Sequence, residues 1–212
     1  VFDLSLLDEI ISYLNTIAEP YDCYITTDNV YKANHILAML KQYCNACRII
    51  VTIYENKGRD VAPFLLQLQE RAFKYEYVCH IHTKRSLHGN IGEKWRTYLF
   101  SNLLGTRQGI RKIISFFDNS DNIGVIYPHA YKNLLECYEW GSNFEITQHL
   151  LKRLSINIEL SGKLDFPAGN MLWFRVDAVK QLFENNLKWS DFPDESGQMD
   201  GTLMHAIERA WN

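Results

Sequence analysis

The sequence predicts an α/β fold with a mostly parallel central sheet flanked by helices, and three observations predict it. Amphipathic helical stripes alternate with short β-rich runs from the start of the chain. Residues Arg48 to Tyr54 form a continuous β-branched run, of the kind found in strands covered on both faces. No internal repeat, low-complexity tract or flexible linker interrupts the pattern.

The elements follow in order. Leu6, Leu7, Ile10, Ile11, Leu14 and Ile17 recur at i, i+3, i+4 spacing, so Leu4 to Ile17 is a helix with one apolar face. Tyr21 to Thr26 is a short strand, Lys32 to Tyr43 repeats the helical stripe through Ile36, Leu37, Met39 and Leu40, and Arg48 to Tyr54 is the second strand. Val61 to Phe73 is a third helix and Tyr75 to His82 a third strand. Gly92 to Leu104 and Arg107 to Phe117 are helices, and Ile123 to Tyr127 is a short strand. The pattern loosens over about 128–163, read as an insertion with one helical stretch near Ile146 to Leu154. Met171 to Val176 is a strand, Val179 to Phe183 a helix, and Leu203 to Ala210 the last helix. The expectation is a single domain over residues 1–212. Because the chain starts at Val1 and ends in an uncapped helix, it is expected to be a piece of a longer protein with further domains.

Composition narrows the function. With 212 residues, 47% hydrophobic and 22% charged, the chain can bury a sizeable core. A formal net charge of -3 supplies no broad basic surface for a nucleic-acid backbone, so no nucleic-acid partner is expected. The longest apolar stretches fall far short of the roughly 20 residues of a membrane helix, and no cleavable signal pattern opens the chain. A cytoplasmic location is expected, with the inner face of the cell membrane as the alternative. The five cysteines, Cys23, Cys44, Cys47, Cys79 and Cys137, are odd in number and mostly lie in apolar segments, as reduced buried cysteines do. Cys44 and Cys47 form a C-x-x-C without a second pair to complete a zinc site.

In open parallel sheets, ligands bind beyond the carboxyl ends of the strands. There this chain places Thr26, Thr27, Asp28 and Asn29 after the first strand and Glu55 to Asp60 after the second. His82, Thr83, Lys84, Arg85 and Ser86 follow the third. Three strand ends are therefore expected to converge on polar and cationic groups.

Four spaced blocks carry a resemblance. Asn56-Lys57-Gly58-Arg59-Asp60, His82-Thr83-Lys84-Arg85-Ser86, Phe166-Pro167-Ala168-Gly169-Asn170-Met171 and Gly197-Gln198-Met199-Asp200-Gly201-Thr202-Leu203 resemble the successive signature blocks of the rhamnan synthesis F family, in the family's order. The resemblance implies a glycosyltransferase with a GT-A-like, Rossmann-related nucleotide-sugar-binding domain. It implies a nucleotide-diphosphate sugar donor, dTDP-rhamnose foremost, and a glycan or lipid-linked glycan acceptor in bacterial surface polysaccharide or O-antigen assembly. The layout is also similar to the family 2 glycosyltransferases, with one departure. Where those carry a metal-binding Asp-x-Asp, this chain has His80-Ile81-His82-Thr83-Lys84-Arg85. Fixed Lys and Arg can stabilise a departing diphosphate in place of an ion. No cofactor or bound metal is therefore expected, a divalent magnesium or manganese ion being the alternative.

Each candidate has two readings. Asp28 resembles the residue that receives a uracil or thymine imide N–H, or it makes an Asx turn or helix cap. Asn56 and Gly58 belong to the donor-site turn, while Arg59 and Asp60 face the nucleotide or pair with each other in capping a helix. His82 is a satisfied strand-end histidine or a neighbour of Lys84 and Arg85 at the donor site. Trp95 and Arg96 read as core packing beside a solvated arginine rather than as a sugar-stacking platform. Gly169 and Asn170 let the backbone approach the sugar, or simply turn. Asp200 opens the last helix as a cap or, by the family 2 layout, as the catalytic carboxylate, with Asp194 and Glu195 as competitors. His205, about one and a half turns on, reaches the diphosphate or packs. Inverting transfer of a deoxysugar is the expected activity. A non-catalytic carbohydrate-binding or scaffolding domain is the alternative.

Overall fold

The computed structural model describes residues 3–83, 90–160, 162, 164–198 and 200–211. The helices and strands run in chain order as α1 (Leu7–Leu14), β1 (Asp22–Thr27), α2 (Val30–Tyr43), β2 (Arg48–Ile53), α3 (Val61–Leu68), β3 (Tyr77–His80), α4 (Asn90–Leu104), α5 (Arg107–Asp118), β4 (Val125–Ile126), α6 (Phe144–Arg153), β5 (Leu172–Arg175), α7 (Lys180–Glu184) and α8 (Leu203–Arg209), with short 3₁₀ turns between. They form two units. One comprises the described residues up to Glu55 with those from Ile81 to Asp121, the other Asn56–His80 with the described residues from Asn122 on.

In the first unit β1 and β2 are parallel, in register from Asp22 opposite Arg48 to Thr27 opposite Ile53. A parallel pair needs a crossover, and α2 supplies it. Asn29 caps α2, its side chain accepting from the Lys32 amide at 2.9 Å. Ile36 and Leu40 form the buried stripe of α2, and Leu7, Ile10, Ile11 and Leu14 that of α1. Each such side chain contributes about 1.5–3 kcal/mol when fully buried. Helix α4 buries Leu99, Phe100, Leu103 and Leu104, and Tyr13 meets Phe100 edge-on at 5.3 Å. Arg96 is not solvated: its side chain is 11% exposed and pairs with Glu9 across α1 and α4 at 3.1 Å. β2 also departs from expectation, since all six of its residues are exposed or half-buried. In this two-stranded sheet its β-branched run satisfies strand propensity without two covering layers.

The second unit holds a three-stranded antiparallel sheet in the order β3-β5-β4. Tyr77 stands opposite Arg175 and His80 opposite Leu172, while Val125 stands opposite Phe174. The chain is thus a mixed α/β protein, but its described strands fall into two sheets and only β1 and β2 are parallel. Helix-strand alternation reports chain order, whereas β3 pairs with β5, which is distant in sequence and returns in the opposite sense.

Helix α3 is apolar on nearly every side and accordingly buried, from Val61 through Leu65 and again at Gln67 and Leu68. Pro63 lies in its first turn, where the missing N–H costs no helical bond. Phe64 anchors the core, edge-on to Phe174 at 6.0 Å and to Phe183 at 6.2 Å. In α8, Met204, His205, Ala206, Ile207 and Arg209 are buried. The segment read as a loose insertion supplies α6 and the fully buried Asn143 and Thr147. No described helix is long and apolar enough to cross a membrane.

Candidate functional site

The second unit assembles most of the candidates. Its turn at 56–60 has two consecutive left-handed residues, Gly58 at φ +68 and Arg59 at φ +53. A Cβ at Gly58 would run into the Cβ of Ala62 and lie 3.2 Å from the Phe192 ring, so glycine is required twice over. For Arg59 the left-handed conformation costs roughly 1–2 kcal/mol. The turn is held by the Arg59 amide donating to Glu195 Oε1 at 2.9 Å and by the Lys57–Asp194 ion pair at 3.0 Å.

Arg59 and Asp60 do not pair with each other in capping α3; Asp60 makes no side-chain cap. The Arg59 guanidinium, on an exposed residue, donates to His205 Nε2 at 2.9 Å and to the Gln198 carbonyl. Arginine only donates, so Nε2 of His205 is the acceptor and its Nδ1 carries the proton, given to Thr202 Oγ1 at 2.8 Å. Burial first, and then the Arg59 charge, push the His205 pKa down to about 4. His205 is therefore a neutral orienter of Arg59.

Asp60 instead accepts from Asn170 Nδ2 at 2.7 Å. Asn170, at φ +51 and 3% exposed, also accepts from Trp211 Nε1 at 3.0 Å, and its carbonyl accepts from His80 Nδ1 at 2.7 Å. His80 stacks on Phe64 at 4.0 Å. Gly169, at φ +90, donates its amide to Glu208 Oε1 at 2.6 Å. The Gly169–Asn170 turn therefore ties α3, α8 and the end of β3 together within the unit.

Asp200 does not open α8, whose cap is Thr202; it lies two residues before that cap. Its Oδ2 accepts from the Ser142 amide at 2.9 Å, its Oδ1 from Asn143 Nδ2, and Arg209 Nη2 lies 3.7 Å from Oδ1. Burial alone would raise its pKa, but the Asn143 and Ser142 hydrogen bonds and the Arg209 charge together hold it below the usual carboxylate range. With 35% of its side chain exposed, the ionised Asp200 remains open to an incoming group.

Asn56 is exposed in the same turn. Asp28 and His82 belong to the first unit. Asp28 pairs with Lys32 one turn along α2 at 2.8 Å, and His82 is half-buried just after β3. Lys84 and Arg85 lie outside the described residues. Sequence reading missed Asn143, Thr202, Glu208, Arg209 and Trp211. Arg209, four residues after His205 and so on the same face of the last helix, was the available signal; Asn143 sits in irregular chain and offers none. Among the described residues, no group of three or more His, Cys, Asp or Glu side chains is arranged to hold a metal ion. Of the described thiols, Cys47 is exposed and Cys23, Cys44 and Cys79 are half-buried, all reduced. Burial pushes the Cys23 thiol up to about 12.

The second unit is thus an α/β scaffold that presents an oriented guanidinium and an ionised carboxylate, the groups needed to meet an anion and to accept a proton. The chain belongs to the rhamnan synthesis protein F family, whose model matches residues 1–212. That membership connects it with rhamnan and polysaccharide synthesis. It is also similar to proteins named uncharacterized protein WxcX from two strains of Xanthomonas campestris pv. campestris, 32% identical over 209 residues and covering 97% of this chain. The chain spans 29% of the length of those relatives. No solved structure matches it.

Proposed function

We propose that the chain is a GT-A-like glycosyltransferase module that moves a deoxysugar, with dTDP-rhamnose as donor, onto a growing bacterial surface polysaccharide or O-antigen. Asp200 takes the proton of an acceptor hydroxyl as that oxygen bonds to the anomeric carbon and the bond to the diphosphate breaks. Arg59, with Lys84 and Arg85 by resemblance, stabilises the departing diphosphate in place of a metal. Asn56, Asp60, Gly169, Asn170 and His205 complete the proposed donor side in this unit, His205 and Asp60 acting through Arg59 and Asn170, and Asp28 and His82 are assigned a donor role by the resemblance alone. The observation that carries this reading is the pairing, in one unit, of an exposed Arg59 oriented by His205 with an ionised, part-exposed Asp200.

The test is to incubate the full chain with dTDP-rhamnose and a rhamnose-terminated oligosaccharide and to follow product by mass spectrometry, with and without EDTA. A gain of one deoxyhexose that survives chelation is expected. Turnover abolished by EDTA and restored by manganese or magnesium would overturn the fixed-cation mechanism. A second reading, a carbohydrate-binding module without turnover, draws on one observation: both Asp200 oxygens already accept hydrogen bonds. It predicts no product with any donor. Stabilisation by dTDP, roughly 2.7 kcal/mol at 100 times its Kd, would count for the transferase.

A further inference from the structure

Asn143 is 0% exposed, and every polar atom of its side chain is committed. Its Oδ1 accepts from the Gly201 amide at 3.0 Å, and its Nδ2 donates to the Trp140 carbonyl at 2.9 Å and to Asp200 Oδ1. A backbone amide only donates, so the amide oxygen must face Gly201 and the NH₂ must face Asp200. The side chain cannot flip without breaking three hydrogen bonds in a dry site.

Arg209 is fixed as firmly from the other side. Its Nε donates to the Glu139 carbonyl at 3.0 Å and its Nη1 to the His205 carbonyl at 3.2 Å, and its guanidinium lies over the Phe166 ring at 5.1 Å. That leaves Nη2 turned toward Asp200 Oδ1 at 3.7 Å. Gly141, at φ +51, completes the enclosure, because a Cβ there would collide with Asp200 Oδ2.

We infer that Asn143 and Arg209 are positioning residues that hold the Asp200 carboxylate charged and in one orientation, with its exposed edge turned to an incoming hydroxyl. This rests on the reading of Asp200 as the proton acceptor. Neither residue touches substrate: Asn143 aims one carboxylate oxygen through a hydrogen bond, and Arg209 opposes its protonation through charge. Among the described residues, Arg209 and His205 are charged or titratable groups that interact with Asp200. The His205 pKa, pushed down to about 4 by burial and the Arg59 charge, lies close to the Asp200 range, so the His205 midpoint is followed in the same titration.

The experiment follows the Asp200 side-chain carboxyl by carbon-13 NMR against pH in the full chain, assigned with Asp200→Asn, in wild type, Asn143→Asp and Arg209→Lys. The pH profile of kcat is measured on the same proteins with dTDP-rhamnose and a rhamnose-terminated acceptor. Asn143→Asp keeps the side-chain shape but sets a second carboxylate against Asp200, which should raise the Asp200 midpoint by about one pH unit or more. Arg209→Lys keeps the charge and loses the fork, giving a smaller rise in the same direction. The acid limb of kcat is expected to move with the NMR midpoint while dTDP affinity stays at the wild-type value. An unmoved midpoint in both variants overturns the positioning role and leaves the Asp200 reading standing. A midpoint that moves while the acid limb does not, or a wild type without turnover, overturns both.

Discussion

The corner between β1 and α2 and the network around Asn170 both include polar groups that the sequence picked out, yet they are built in opposite ways. At the corner, Asp28 pairs with Lys32 four residues on, Asn29 caps the same turn, and the ion pair is about one-fifth exposed on each side. Around Asn170, partners come from positions 110 and 41 residues away, on α3 and at Trp211, and the side chain is all but removed from water. The first arrangement is local and replaceable. The second is non-local, and removing one member strands the rest, because a dry polar group without its partner costs more than the bond itself contributes.

That contrast can be broken or sharpened by substitution. The largest effect is expected for Asn170→Ala, which removes the Asn170 hydrogen bonds to Asp60 Oδ2 and from Trp211 Nε1 and puts a β-carbon residue without side-chain compensation at positive φ. A loss of roughly 3 kcal/mol or more in urea unfolding is expected; a loss under about 1 kcal/mol would make the network no more cooperative than the corner.

A smaller effect follows from His205. The unfolded chain binds its proton near pH 6.5 and the folded one near 4, so between these values the unfolded state holds more protons and stability rises with pH. This contribution is complete above about pH 6.5 and disappears as pH falls toward 4. Urea midpoints measured across that window should slope upward in wild type and flatten in His205→Gln. An identical slope in the variant would place the titration elsewhere. At the corner, Asn29→Ala should cost only about 1 kcal/mol, the worth of an N-cap. Lys32→Ala should cost a few tenths of a kcal/mol, vanishing in 1 M salt when thermal melts are compared.

The same contrast explains what could be read without a structure. Stripes such as Leu7, Ile10, Ile11 and Leu14, and the capping position at Asn29, are local signals, and α1, α2 and their strands stand within a few residues of where the periodicity puts them. The turn at Gly58 was legible because left-handed backbone has a residue-type signature. Sheet pairing was not, since β3 chooses β5 through contacts that leave no trace in either segment's pattern. Asp200 drew attention by its place before a helix, but its partner Asn143 lies 57 residues upstream in irregular chain. An asparagine in a loop is ordinarily a surface residue; only the fold reveals that this one is enclosed. The Arg59–Asp60 alternative failed for a related reason, each side chain finding a better-buried partner far along the chain.

The missing side chain at Gly141 also shapes how this part of the protein can change over time. A methyl group there would occupy the volume of Asp200 Oδ2, and the positive φ penalises any replacement besides. The carboxylate makes room only by turning away from the Ser142 amide and the Asn143 side chain that hold it. A substitution at position 141 is therefore coupled to the carboxylate at 200, which it displaces from its hydrogen-bonded position. The two sites, 59 residues apart in sequence, are expected to change together.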